Sequence, residues 1–104
     1  MIGMKAYRAK LTQIRGEVIL SAADEDLIGK ELREGILHID VKESFYGSTK
    51  VTEKFLAESM GMCTIGNFVG INTVELAIKC KIVERGNIIT ISGVPHAQFA
   101  KMIR

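Results

Sequence analysis

Between Lys5 and Leu20 the chain alternates, turns and then becomes continuously apolar, and that succession leaves little choice of fold. From Lys5 to Thr12, Tyr7, Ala9 and Leu11 fall on one face and Arg8 and Lys10 on the other, the period-2 signature of a half-buried strand. Gln13-Ile14-Arg15-Gly16 supplies a hairpin loop with glycine at a left-handed position. Val18-Ile19-Leu20 has no polar alternation, so it reads as a strand covered on both faces and therefore central. A hairpin with a buried second strand needs further strands beside it and helices over it.

The rest of the chain supplies them. Asp24 caps a short helical turn over Leu27 and Ile28 that ends near Gly29. Ile36–Val41 alternates again, with Leu37, Ile39 and Val41 inward and His38 and Asp40 on the opposite face. Two helices follow. Thr52 is the N-cap of the first, with Val51 and Leu56 as its hydrophobic staple and Phe55, Leu56 and Met60 on its apolar face. Asn72 and Glu75 have capping-box spacing for the second, with Ile71 and Leu76 as a staple. Its apolar residues wrap most of the circumference, so it is buried on several sides. Gly86-Asn87 turns into a last strand, Ile88–Ser92, and Phe99, Ala100, Met102 and Ile103 form a closing helical turn. The expected architecture is α+β: a single compact domain over residues 1–104, with a mixed, mainly antiparallel sheet of about four strands and helices packed mainly on one face.

Composition fits one core-forming domain. At 47% hydrophobic and 25% charged, the chain resembles neither a disordered segment nor a membrane protein. Residues 1–10 contain no apolar h-region, and two loosely spaced cysteines, Cys63 and Cys80, read as reduced thiols; a cytoplasmic location and no membrane partner are expected. The charge is uneven. Residues 1–15 carry +4 and residues 85–104 carry +3, each without an acid, while the middle carries −5. Side by side, the two terminal segments would make a basic surface fit for a polyanion; apart, they are two solvated strand faces.

The candidate functional residues cluster around glycines. Gly93-Val94-Pro95-His96-Ala97-Gln98 follows the last strand, and a fixed turn there would deliver His96 and Gln98 to the main cleft. The same two side chains could equally tie down local backbone. Lys30 and Arg33 lie three apart, and on a helical turn they would hold a phosphate or carboxylate between them. Tyr46, beside Phe45 and Gly47, offers a ring for the core or for stacking on a base. Asn67 lies in another glycine-flanked stretch. His38, His96, Cys63 and Cys80 lack metal-ligand spacing, so no metal and no cofactor are expected. Cys63 near a helix start, with His96 as base, is a candidate thiol pair; its apolar neighbours argue for packing instead.

Gly29-Lys30, Arg33-Glu34-Gly35, Phe45-Tyr46-Gly47, Asn67-Phe68-Val69-Gly70 and Gly93-Val94-Pro95-His96-Ala97-Gln98 occur in this order. Together they resemble small archaeal proteins grouped as domain-of-unknown-function family four hundred and twenty-four, over roughly Tyr7 to Gln98. The resemblance implies an archaeal cytoplasmic source and one mixed domain, and it brings no catalytic residues. Three functional readings follow. The first is a non-enzymatic RNA- or ribonucleoprotein-binding protein contacting its ligand through Lys30, Arg33, Tyr46, Asn67, His96 and Gln98. The second is a small hydrolase or transferase using His96 with Gln98 and Cys63 or Asn67. The third is a homo-oligomer joined through Phe99, Met102 and Ile103.

Overall fold

The computed structural model describes residues 5–101. Strands β1 (Tyr7–Ile14) and β2 (Glu17–Asp24) form the expected hairpin, in unbroken register from Tyr7↔Asp24 to Ile14↔Glu17. Arg15 and Gly16 close it with φ of 53° and 83°, the backbone that matches a two-residue turn to strand twist. A 3-10 turn at Glu25–Leu27 leads to a second hairpin, β3 (Glu31–Glu34) with β4 (Leu37–Asp40), which is a sheet of its own. Then come the one-turn helix α1 (Glu43–Tyr46), the short strand β5 (Lys50–Val51) and helix α2 (Glu53–Met62). Strand β6 (Ile65–Val69), helix α3 (Ile71–Lys79), a 3-10 turn at Arg85–Asn87, β7 (Ile89–Ile91) and β8 (Val94–Ala100) complete the described chain.

The result is one α+β domain whose main sheet has six strands, in the order β5-β1-β2-β6-β8-β7. It is mixed because β2 and β6 run parallel, while the other neighbours are antiparallel. The expected strand count of about four was too low. It omitted β5 and β6, counted as a turn and a helical tail what is in fact β8, and included the strand over Ile36–Val41, which pairs with β3 in the separate hairpin.

Alternation assigns each face its work. Tyr7, Leu20, Ala22, Phe68 and Ala97 point to one face, where Leu56, Met60 and Cys63 from α2 and its end, and Val74, Leu76 and Ala77 from α3, form the larger core. Each large side chain buried there contributes roughly 1.5–3 kcal/mol. The opposite face is covered only in part. Ala23, Val69 and Ile91 pack under Leu27, Leu32, Val41 and Tyr46, the underside of the second hairpin and α1. The part nearer the β1–β2 turn has no such cover.

Both main helices start as their first turns require, but by different means. Thr52 accepts a hydrogen bond from the Phe55 backbone N–H at 3.0 Å, the expected side-chain cap. Helix α3 has Gly70 at its N-cap position, and the expected Asn72–Glu75 box does not form. Its first turn is capped across the fold by Asp24, which accepts from the backbone N–H of Asn72 and Thr73 and from the Thr73 hydroxyl. Gly70 has φ 110°, and a Cβ there would run into the Asp24 side chain. Asp24 therefore does not cap its own 3-10 turn, as the sequence suggested.

Candidate binding face

Cross-strand register builds the uncovered part of the second face. Lys10 faces Ser21, Ser21 faces Asn67 and Asn67 faces Gln98, so one row of polar side chains crosses β1, β2, β6 and β8, with Ser21 itself buried. The neighbouring row is Thr12, Ile19, Ile65 and Ala100. On the other side runs Arg8, Ala23, Val69, His96 and Ile89, which dips beneath α1 and the hairpin.

Asn67 is the junction. Its Oδ1 accepts from the Tyr46 hydroxyl at 3.0 Å and lies 3.1 Å from His96 Nε2. An amide oxygen can only accept, so Nε2 carries the proton and donates, leaving the lone pair of the neutral ring on Nδ1. Burial lowers the His96 pKa below its usual 6.5, so the ring is neutral at physiological pH. Burial also pushes the Tyr46 phenol up to about 12, keeping it a donor. His96 is 9% exposed; with Asn87, Ile89, Ala97 and Gln98 it lines a shallow groove of about 210 Å³. Phe45, 46% exposed, meets Tyr46 edge-on with ring centroids 4.8 Å apart.

Helix α1 is held over the sheet by cations from β1. Arg8 binds the Glu25 carboxylate, Glu43 at 3.1 Å and the Gly47 carbonyl at 3.0 Å, and Lys10 Nζ donates to the Ser44 carbonyl at 2.9 Å. Gly47 sits so close to Ala9 that a Cβ would strike the β1 backbone. These contacts bring the Phe45–Tyr46 pair to the margin of the polar row.

The structure thus unites Tyr46, Asn67 and His96, and sets Gln98, exposed, directly across from Asn67. It separates the others. Lys30 and Arg33 are not on a helical turn: Arg33 is in β3, and a three-residue offset in extended chain turns the two to opposite sides. Arg33 pairs with Glu31 at 3.2 Å. The expected turn at Gly93–Gln98 shrinks to Ser92-Gly93, with φ of 52° and 79°, and Pro95 to Gln98 lie inside β8. Pro95 is tolerated because it stands past the paired end of β6, where its carbonyl accepts from the Gly70 N–H at 2.9 Å.

Cys63 and His96 lie on opposite faces of the sheet, so the thiol pair is excluded by geometry. Cys63 is buried in the α2–α3 core, its Sγ is 3.4 Å from the Met60 carbonyl, and burial raises its pKa, the reverse of an activated thiol. Of the expected closing helical turn, Phe99 and Ala100 are strand. Phe99 packs on the larger core and is no free tail anchor; Met102 and Ile103 lie outside the described residues. The terminal basic segments do not make one basic surface: β2 and β6 stand between β1 and β8, and where Lys5 and Arg85 line one pocket they share it with Glu53 and Glu75.

Two features escaped sequence reasoning. Ser21 belongs to the polar row only through register. Glu31, His38 and Asp40 gather on the β3–β4 hairpin, their ligand-type atoms within 4.8 Å of one another; cross-strand pairing of Glu31 with Asp40 and of Arg33 with His38 puts them on one face, and Arg33 already supplies a cation there. Among the described residues, no helix is long and apolar enough to cross a membrane.

No curated protein is significantly similar to the chain. A solved structure described as an uncharacterized conserved protein from Methanopyrus kandleri shares the fold, with a TM-score of 0.74 and 20% identity over 95% of this chain and 96% of that one. The motif-based resemblance needs correction against the family match, which spans residues 12–102, not Tyr7 to Gln98, and whose description carries neither a source nor a compartment. By that match, to the family described as "Protein of unknown function (DUF424)", the chain belongs to the DUF424 family.

Proposed function

We propose that this chain is a non-enzymatic binding domain whose ligand is single-stranded RNA, held on the uncovered half of the second sheet face. The observation that carries this reading is the set Lys10, Asn67 and Gln98, joined in one cross-strand row through the buried Ser21, with the half-exposed Phe45 at its margin. Amides on a pleated surface suit the edges of unstacked bases, and an exposed ring suits their faces. His96 supports the row from beneath: it is tied to an amide, not to a carboxylate that would orient and strengthen a catalytic base.

The reading differs from the sequence expectation in its electrostatics. Lys10 is the cation of the row, and Arg8 is consumed by Glu25 and Glu43. Few phosphates are neutralised, so log affinity should fall with log salt at a slope of about −0.7 per phosphate contacted, for a small number of contacts. Fluorescence anisotropy with labelled single-stranded RNA tests the proposal. Phe45→Ala and Gln98→Ala should each weaken binding, the former by about 1–3 kcal/mol for one lost stack, while Arg33→Glu on the far hairpin should not. Absence of binding at low salt, or equal sensitivity to Arg33→Glu, would refute it.

A further inference from the structure

We propose that the groove beside His96 is a base-reading subsite, which takes one nucleobase of a bound RNA strand edge-on, the base's exocyclic amino group donating to His96 Nδ1. The inference rests on the RNA reading and names the part of the strand that enters the groove.

The need for a donor follows from one nitrogen. His96 Nε2 is committed to Asn67, so Nδ1 of the neutral ring can only accept. Among the described residues Nδ1 has no hydrogen-bond partner, and no buried side-chain nitrogen or oxygen goes unpaired. Nδ1 is therefore open to solvent, although His96 as a whole is 9% exposed. That makes it a recessed acceptor. Its opening is the groove of about 210 Å³ that His96 shares with Asn87, Ile89, Ala97 and Gln98. Sites that enclose a whole drug-sized ligand run to roughly 300–1,000 Å³, so this one suits a single ring.

The lining decides which part of a strand fits. None of these residues carries a charge, because burial keeps His96 neutral. A phosphate would meet no cation there and would set its oxygens against the Nδ1 lone pair. A base edge brings N–H donors instead. The amino groups of adenine and cytosine project beyond their rings and can reach a recessed acceptor. The ring N–H of uracil lies between two carbonyl oxygens, which would crowd the same lone pair. Asn87 and Gln98 carry amides that can donate to the ring nitrogen beside the amino group. Half-exposed Ile89, opposite His96 in β7, offers apolar surface to the face of the base. Gln98 also ends the polar row across from Asn67, so a strand lying on that row passes the groove.

Fluorescence anisotropy with the full chain compares an oligomer of adenosine with one of equal length built from purine riboside, which lacks only the amino group. The adenosine strand should bind about three- to ten-fold more tightly, the worth of one neutral hydrogen bond. His96→Phe should bind the two strands alike. Long-range proton–nitrogen NMR spectra of the native chain need no variant: the His96 Nδ1 resonance should move toward hydrogen-bonded values with the adenosine strand and stay in place with the purine strand. Equal binding of the two strands by the native chain, an Nδ1 resonance unmoved by adenosine, or a folded His96→Phe that keeps the preference would each overturn this proposal and leave the RNA reading standing. Binding of neither strand would overturn both.

Discussion

Asp24 and Thr73 meet twice, the carboxylate oxygen lying 2.8 Å from the Thr73 backbone nitrogen and 2.7 Å from its hydroxyl. This buried contact fastens the end of β2 to the start of α3 and, with Asn72, satisfies donors that every helix leaves open. Asp24→Ala should therefore destabilise by about 1–3 kcal/mol, the cost of stranding buried donors. Gly70→Ala should cost at least as much, because it adds a Cβ against the same carboxylate at positive φ. Denaturant melts of both variants check this. A loss within a few tenths of a kcal/mol for either would show that the cap carries no weight.

Thr52 makes the local counterpart. Its hydroxyl accepts from Phe55 at the exposed start of α2, so Thr52→Ala should cost about 1 kcal/mol and Thr52→Ser almost nothing. The same melts distinguish the two.

That contrast marks what was legible in the sequence. The β1–β2 hairpin and the Thr52 cap rest on neighbouring residues, and pattern alone finds them, although the loop expected over Gln13–Gly16 tightens to Arg15-Gly16 because Gln13 and Ile14 stay paired in β1. The cap of α3 comes from Asp24, far away in the chain, so Asn72 and Glu75 offered a local imitation of a non-local contact. Pro95 misled for a related reason: a proline argues against a strand only where its missing N–H would be needed, and the place where β6 ends is a property of the sheet. The site divides likewise. Tyr46, Asn67, His96 and Gln98 stood out beside glycines, but their meeting depends on β6 lying next to β8 and on Arg8 and Lys10 holding α1 above them. Lys30 and Arg33 failed because a charge spacing has meaning only once helix or strand is known.

His96 gives the fold a pH dependence of defined sign. Burial depresses its pKa in the folded state, so below the ordinary value of about 6.5 the unfolded chain binds the extra proton and stability falls. Stability from this group should be fully present above pH 6.5 and decline as pH drops toward and through the folded pKa. His96→Gln keeps a donor for Asn67 and has no titrating ring, so the difference between native and variant melts isolates the effect. A difference that stays constant from pH 8 to pH 5 would contradict it.

Cys63 should be protected in the folded chain. It is buried and its thiol pKa is raised by that burial, so alkylation at neutral pH should be slower than for a model thiol and should accelerate on unfolding. Mass spectrometry of partially labelled protein should find Cys80, which is half-buried, modified first. Preferential labelling of Cys63 would return the thiol to consideration as a working group.

The central claim concerns which surface meets RNA, and a residue-by-residue map tests it most directly. In amide NMR spectra titrated with single-stranded RNA, the account predicts perturbations centred on Lys10, Asn67, Gln98 and Phe45, with the β3–β4 hairpin and the outer faces of α2 and α3 unchanged. Perturbations confined to Lys30–Arg33 or to the helical face, or none at saturating RNA, would contradict it.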